Sequence, residues 1–208
     1  MDAAAAAYGV GREHNVAVPM SDGVVLRADI HYPTVPETGE PAAGPFPVLL
    51  SVTPYGKKAL PGRPDRWRCD ALPDQAGLHR GDGRRPRTGA SGGSFEMFGA
   101  RQTQDGVELV NWAATLPNSN GRVGMFGTSY LAINQLFTAA AVGPNSPLRA
   151  IFPVMAARDF YRDAANMGGV PHLRTVRAYG ALYSLLNVVN PTLELLARAD
   201  IRGRGPAG

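Results

Sequence analysis

Between Asn15 and Met20 apolar and polar positions alternate, with Val16, Val18 and Met20 on one side, as in a half-buried strand. Ser21-Asp22-Gly23 is a turn signal, and Val24 to His31 carries the next strand through Val25, Leu26 and Ile30. Prolines and glycines dominate from Tyr32 to Pro47, which predicts a loop. Val48 to Val52 is a short unbroken apolar run, the pattern of a strand covered on both faces. Pro61 to Gly93 has no usable periodicity. Arg101 to Leu116 then reads as a helix, with Val107, Val110 and Ala114 on one face and Leu109, Ala113 and Leu116 beside them. Pro117 to Gly121 breaks it. Val123 to Phe126 predicts a strand, Ser129 to Ala141 a helix with Leu131, Gln135 and Ala139 in register, and Leu148 to Val154 another buried strand. Beyond Asp159 the pattern is helical again, notably from Arg174 to Val189 ahead of Pro191. Strand and helix in alternation imply βαβ units, so the expected fold class is α/β with a doubly wound, mostly parallel sheet.

Composition changes this picture little. Of 208 residues, 44% are hydrophobic and 18% charged, so the chain can bury a core. A single cysteine, Cys69, excludes a disulfide framework and a cysteine-based metal cluster. Met1 to Ala7 is alanine-rich but has neither the basic start nor the long apolar stretch of a signal peptide, and no run nears the roughly 20 residues that cross a bilayer. A cytoplasmic location with no membrane partner is expected. The net charge of +4 raises nucleic-acid binding, and much of the excess lies between Lys57 and Arg87. That cluster is poor in aromatics and carries no nucleic-acid motif, so no nucleic-acid partner is expected.

Two serines are candidates for chemistry. Gly127-Thr128-Ser129-Tyr130-Leu131-Ala132 lies between a predicted strand and a predicted helix, the context of a nucleophile elbow. A sharp turn there would present the Ser129 hydroxyl above the sheet, with the Tyr130 N–H facing the place where an oxyanion forms. The fifth position of G-x-S-x-G is Leu131, however, so a plain glycine turn explains the local pattern as well. Gly89-Ala90-Ser91-Gly92-Gly93 matches G-x-S-x-G literally, but no apolar strand precedes it and a poor helix start follows. Ser91 reads as a loop residue. A phosphate-cradling loop there lacks the lysine and spacing of a P-loop.

Several segments together resemble the CocE/NonD family of hydrolases, which includes cocaine-esterase-like enzymes and X-Pro dipeptidyl-peptidases of the S15 type. They are Val16 to Val24 with its Asp22-Gly23 turn, Thr53-Pro54-Tyr55-Gly56-Lys57, and Thr88 to Ser94. They continue with Asp105-Gly106 and Trp112, Asn120 to Tyr130, and Arg158 to Asp163. The matches span most of the chain except 61–87. The resemblance implies a partial α/β-hydrolase fold, with 1–157 belonging to the hydrolase domain and 158–208 starting a helical cap. It implies Ser129 as nucleophile, the Tyr130 N–H as one oxyanion donor and the Tyr55 hydroxyl as the other. The expected partner is a small-molecule ester or peptide substrate, and neither metal nor organic cofactor is implied. The family usually has glycine where this chain has Ala132, and alanine is small enough for the helix to pack.

A serine needs a base to take its proton. After Ser129 the one histidine is His172, which matches no family histidine; His14, His31 and His79 precede the elbow. His31 reads as a strand residue and His172 as a surface or cap residue, while Asp159 and Asp163 read as capping residues. The resemblance puts the triad acid and histidine, and a β-sandwich domain, further along than Gly208.

Where the family has a buried strand ending in R-G-T-G, this chain has Leu78-His79-Arg80-Gly81-Asp82-Gly83-Arg84-Arg85-Pro86-Arg87, a string no core strand is expected to tolerate. Shifted by one nucleotide, its degenerate codons permit Y-I-V-V-M-A-D-V-R-G, an apolar strand running into Thr88-Gly89. The stretch 57–87 is therefore read as translated between two compensating frameshifts, which accounts for the arginines and Cys69 without a nucleic acid. The Arg/Gly/Pro tail from Ile201 to Gly208 has the same character.

Overall fold

The computed structural model describes residues 8–53, the backbone of 79–84, residues 98–181 and residue 184. It contains one six-stranded sheet in the order β1-β2-β4-β3-β5-β6. The strands are β1 (Gly9–Pro19), β2 (Val25–Thr34), β3 (Phe46–Thr53), β4 (His79–Arg84), β5 (Ser119–Thr128) and β6 (Leu148–Val154). β1 pairs antiparallel with β2, and β2 antiparallel with β4, while β4, β3, β5 and β6 run parallel. The long helices are α1 (Ala100–Ala114) and α2 (Tyr130–Ala141), each crossing between parallel strands.

The strand pattern is longer than the apolar runs alone. β2 continues to Thr34 and β3 begins at Phe46, so the proline-rich loop shrinks to the residues between them, closed by a bridge from Thr34 to Pro41. β5 starts at Ser119, inside the stretch that ends the preceding helix. Polar strand ends of this kind carry no periodicity, and ladder pairing alone extends them. Beyond β6 the chain makes one π-helical turn (Tyr161–Ala165), a 3-10 turn (Met167–Gly169) and a helix over 173–181. The rest of the helix expected to reach Val189 lies largely outside the described residues.

The expectation that Leu78 to Arg87 holds no core strand is corrected. β4 occupies the slot between β2 and β3, with Ile30 opposite Gly81 on one side and Leu50 opposite Gly81 on the other. Strands lie about 4.8 Å apart, so β2 and β3 without a strand between them would face each other across an unpaired gap. Backbone N–H and C=O groups on both rims must find partners, and that demand is indifferent to side-chain polarity.

The core lies against this sheet. Leu26, Ala28, Val48, Leu50, Val52, Val123 and Met125 meet Leu109, Val110 and Ala113 of α1, all of them buried. α1 and α2 touch at Gly106, where an added Cβ would sit 2.1 Å from Thr138 Oγ1, so close helix crossing there admits only glycine. Ala132, fully buried, shows that alanine fits the packed face of α2. At the end of the sheet where α1 begins, the β1–β2 turn is tied to that helix by charge. Ser21 N–H and hydroxyl donate to Glu108 at 2.8 and 2.5 Å, and Arg101 lies 3.1 Å from Asp22 and 2.7 Å from Asp105.

Candidate active site

Three backbone facts shape the junction between β5 and α2. Gly127 stands at φ 151, and a Cβ there would meet Leu131 Cβ at 2.4 Å. Ser129 follows at φ 59, ψ −119, a conformation that costs an L-residue strain and persists only where its surroundings impose it. Tyr130 is the first residue of α2, with Ser129 as N-cap. The chain therefore turns from strand to helix within two residues, with Ser129 at the apex.

Hydrogen bonds over-determine that turn. Ser129 N–H donates to Val154 O at 2.9 Å, pinning the apex to the end of β6, where Thr128 is also in register with Val154. Ala132 and Ile133 N–H both donate to Ser129 O, at 2.9 and 3.0 Å, closing the first turn of α2. The fully buried Gln135 reaches back from the next turn. Its Nε2 donates to Leu131 O at 3.1 Å and Gly127 O at 3.4 Å, while its Oε1 accepts from Phe152 N–H at 2.9 Å. One amide thus ties α2, β5 and β6 together immediately behind the serine. The helical register groups Gln135 with Leu131 and Ala139; a polar residue among apolar ones in such a register is the signal that it must bond within the core.

Tyr130 is 1% exposed and points away from the apex, into the space between α1 and α2. Its hydroxyl donates to Gln102 Oε1 at 2.7 Å, and its ring stacks on Phe98. The hydroxyl is thus occupied within the fold, and the chemistry available to Tyr130 at the apex is that of its backbone N–H. That amide lies at the helix N-terminus, where the first four N–H groups have no intrahelical acceptor and the dipole favours negative charge.

Ser129 itself is partly accessible, and among the described residues its hydroxyl has no hydrogen-bond partner. His172 is exposed and bonds the Thr175 hydroxyl, as expected of a surface residue. His31 is a β2 residue opposite Arg12 and Arg80. His14 is an exposed neighbour of Asp29 at 3.5 Å, beside the irregularity in β1. Asp163 accepts from Arg158 and Asp159 N–H at 2.9 and 3.0 Å, and Asp159 from Arg162 N–H at 3.1 Å, so both cap the turn after β6. Backbone hydrogen bonds, from Asp159 first, hold the Asp163 carboxyl below its ordinary range. Tyr55, Ser91 and the histidine ring at position 79 lie outside the described residues. Among those described, no group of three or more His, Cys, Asp or Glu side chains could hold a metal.

A parallel-sheet α/β unit with a strained serine at a strand-to-helix turn defines the α/β-hydrolase class of architecture. Residues 22–195 match the family of X-Pro dipeptidyl-peptidases (S15 family), and the chain belongs to it. Cocaine esterase from Rhodococcus sp. (strain MB1 Bresler) is 36% identical over 158 residues, covering 71% of this chain and 24% of that protein. A crystal structure of a CocE/NonD family hydrolase from Staphylococcus aureus superposes with a TM-score of 0.67 at 26% identity, covering 86% of this chain and 34% of that one. The α-amino acid ester hydrolase labelled with selenomethionine shares the fold, with a TM-score of 0.57 at 22% identity over 80% of this chain and 28% of that one. The chain therefore spans about a quarter to a third of the length of these relatives.

Proposed function

We propose that this chain is the nucleophile-bearing portion of a serine hydrolase that cleaves ester or X-Pro-like amide bonds through an acyl-enzyme on Ser129. The observation that carries the reading is the Ser129 backbone at φ 59, ψ −119 on the β5–α2 turn. In this reading the Ser129 hydroxyl attacks the carbonyl carbon while a base takes its proton. The carbonyl oxygen becomes an oxyanion held by the Tyr130 N–H and the Tyr55 hydroxyl. The alcohol or amine then departs, and water releases the acid. The acid and base of the triad belong to the longer protein, in the order serine, acid, histidine. Residues 1–157 form part of the hydrolase domain and 158–208 open the cap. The large apolar side chains exposed on β6 and after it, Phe152, Met155 and Tyr161 among them, support further chain packing there. No helix of the described residues is long and apolar enough to cross a membrane.

A second reading is a catalytically incompetent fragment, favoured by the absence of any base against Ser129 among the described residues. A fluorophosphonate probe separates the two. Labelling that disappears in Ser129→Ala supports an activated nucleophile; no labelling, or labelling that survives the substitution, overturns it. The out-of-register reading of 57–87 is a companion proposal, supported by β4 occupying the slot where the shifted string would supply an apolar strand. Resequencing the gene across Lys57 to Thr88 tests it, and a clean single frame there would sink it.

A further inference from the structure

Phe98 stands just before α1 at φ 56, a region that a bulky aromatic enters only when several contacts hold it. Its ring stacks on that of Tyr130, with centroids 4.4 Å apart and planes 20° from parallel. Its N–H donates to Gln102 Oε1 at 2.9 Å and lies 3.4 Å from the Tyr130 hydroxyl oxygen. The same Gln102 oxygen accepts from the Tyr130 hydroxyl at 2.7 Å. Gln102 is the third residue of α1 and reaches back past the Gly99 N-cap, as a capping-box residue does, but one residue further. One amide oxygen therefore fixes a backbone and a side chain that also stack on each other.

The far side of Phe98 faces the segment beyond β6. Its centroid lies 5.8 Å from that of Phe160, and Phe160 meets Tyr179 edge-on at 5.5 Å. A continuous chain of rings thus runs from the helix over 173–181, through Phe160 and Phe98, to the first residue of α2. Tyr130 is almost fully buried, so its ring cannot shift independently of the backbone that carries it.

We propose that Phe98 is a positioning residue: clamped by Gln102 and stacked on Tyr130, it carries the placement of the 160–181 segment to the Tyr130 N–H. What that N–H does rests on the serine-hydrolase reading; the mechanical coupling does not. Under that reading, an acyl group ordered by the 160–181 segment would set the oxyanion donor at the same time, so substrates too short to touch that segment would lose turnover as well as binding.

The test uses the full chain labelled with 3-fluorotyrosine and observed by 19F NMR, with Tyr130→Phe and Tyr179→Phe assigning the two signals. Phe98→Leu changes the surroundings of Tyr130 directly, so the deciding signal is Tyr179, one ring removed from the substitution. It is expected to move by more than a linewidth and to return in Phe98→Tyr, with far-UV circular dichroism unchanged. A stationary Tyr179 signal reduces Phe98 to local packing and overturns the proposal. If Phe98→Leu does not fold, Phe160→Leu approaches from the other end; a Tyr130 signal that stays put there overturns it equally. Where Ser129 reacts with a fluorophosphonate, Phe98→Leu should slow labelling about tenfold, part of the hundredfold or more that a lost oxyanion donor costs, and Phe98→Tyr should restore it. If the unsubstituted chain does not label, the hydrolase reading fails while the NMR result still decides the coupling.

Discussion

α1 and α2 both begin at one end of the sheet, and two neighbouring sets of ties there use different chemistry. On the hairpin side the ties are charged and mostly near water: Arg101 meets Asp22, Asp105 and Glu108, and Ser21 donates twice to Glu108. On the elbow side they are neutral and buried: Gln135 bonds β5, α2 and β6, and Gln102, next to Arg101 in α1, holds Tyr130 and Phe98. Charged surface ties are screened by salt and contribute at most about 1 kcal/mol each. Buried amides cost more to lose because they leave dry partners behind. The strained serine sits on the side whose fastening does not depend on ionic conditions, which is where a fixed geometry matters.

The sharpest break on the elbow side should come from Gly127→Ala. The added methyl meets Leu131 Cβ at 2.4 Å on a backbone at φ 151, so overpacking and strain act together. A loss of about 3 kcal/mol is expected, read as a lower urea midpoint of the full chain. Gln135→Leu should follow, at about 2 kcal/mol, because Phe152 N–H and Gly127 O lose their partner while the shape is kept. Both losses should be the same in low and high salt. A loss that shrinks in 1 M salt would mean the elbow is fastened by charge after all.

The contrast also governs how much could be read from the chain. The elbow was half legible: the strand, Gly127 and the helix frame Ser129, but Leu131 at the fifth position fits a plain glycine turn as well, and only the resemblance over several segments singled the serine out. Its fastenings were less so: Gln135 looked like one more position in a helical register, and Gln102 and Phe98 bond across separations of 28 and 32 residues to Tyr130 that local pattern does not span. β4 was read as no strand because its side chains are polar, whereas its place is set by the unpaired rims of β2 and β3. The hairpin was legible as strand, turn and strand, but not its attachment to α1, since Glu108 and Arg101 look like ordinary solvent-facing charges on an amphipathic helix.

On the hairpin side the expected effects are smaller and depend on solution conditions. Burial pushes the Asp105 carboxyl up, against the opposing pull of Arg101. For an acid raised on folding, the stabilising contribution is complete below the unfolded value of 3.8 and is lost as pH rises through the folded one. The ionised Asp105 is thus a net liability at neutral pH, and Asp105→Asn should raise the urea midpoint at pH 7, with the gain vanishing in acid. Glu108 runs the other way: burial works against its charge, but the hydrogen bonds from Ser21 and Gln104 and the charge of Arg101 outweigh it and hold the carboxyl below 4.5. Its contribution is present above 4.5 and lost as pH falls through the lower folded value.

Ser21→Ala removes one of the two donors that Ser21 offers Glu108 at an exposed site and should cost the least, about 0.5 kcal/mol. The remaining tie is then the Ser21 N–H together with Arg101, so 1 M salt should destabilise the variant little further than the parent. If Ser21→Ala instead costs as much as Gln135→Leu, the hydroxyl bond at 2.5 Å behaves as a buried one. The two sets of ties would then be equally strong, and the elbow's distinction would rest on the Ser129 backbone alone.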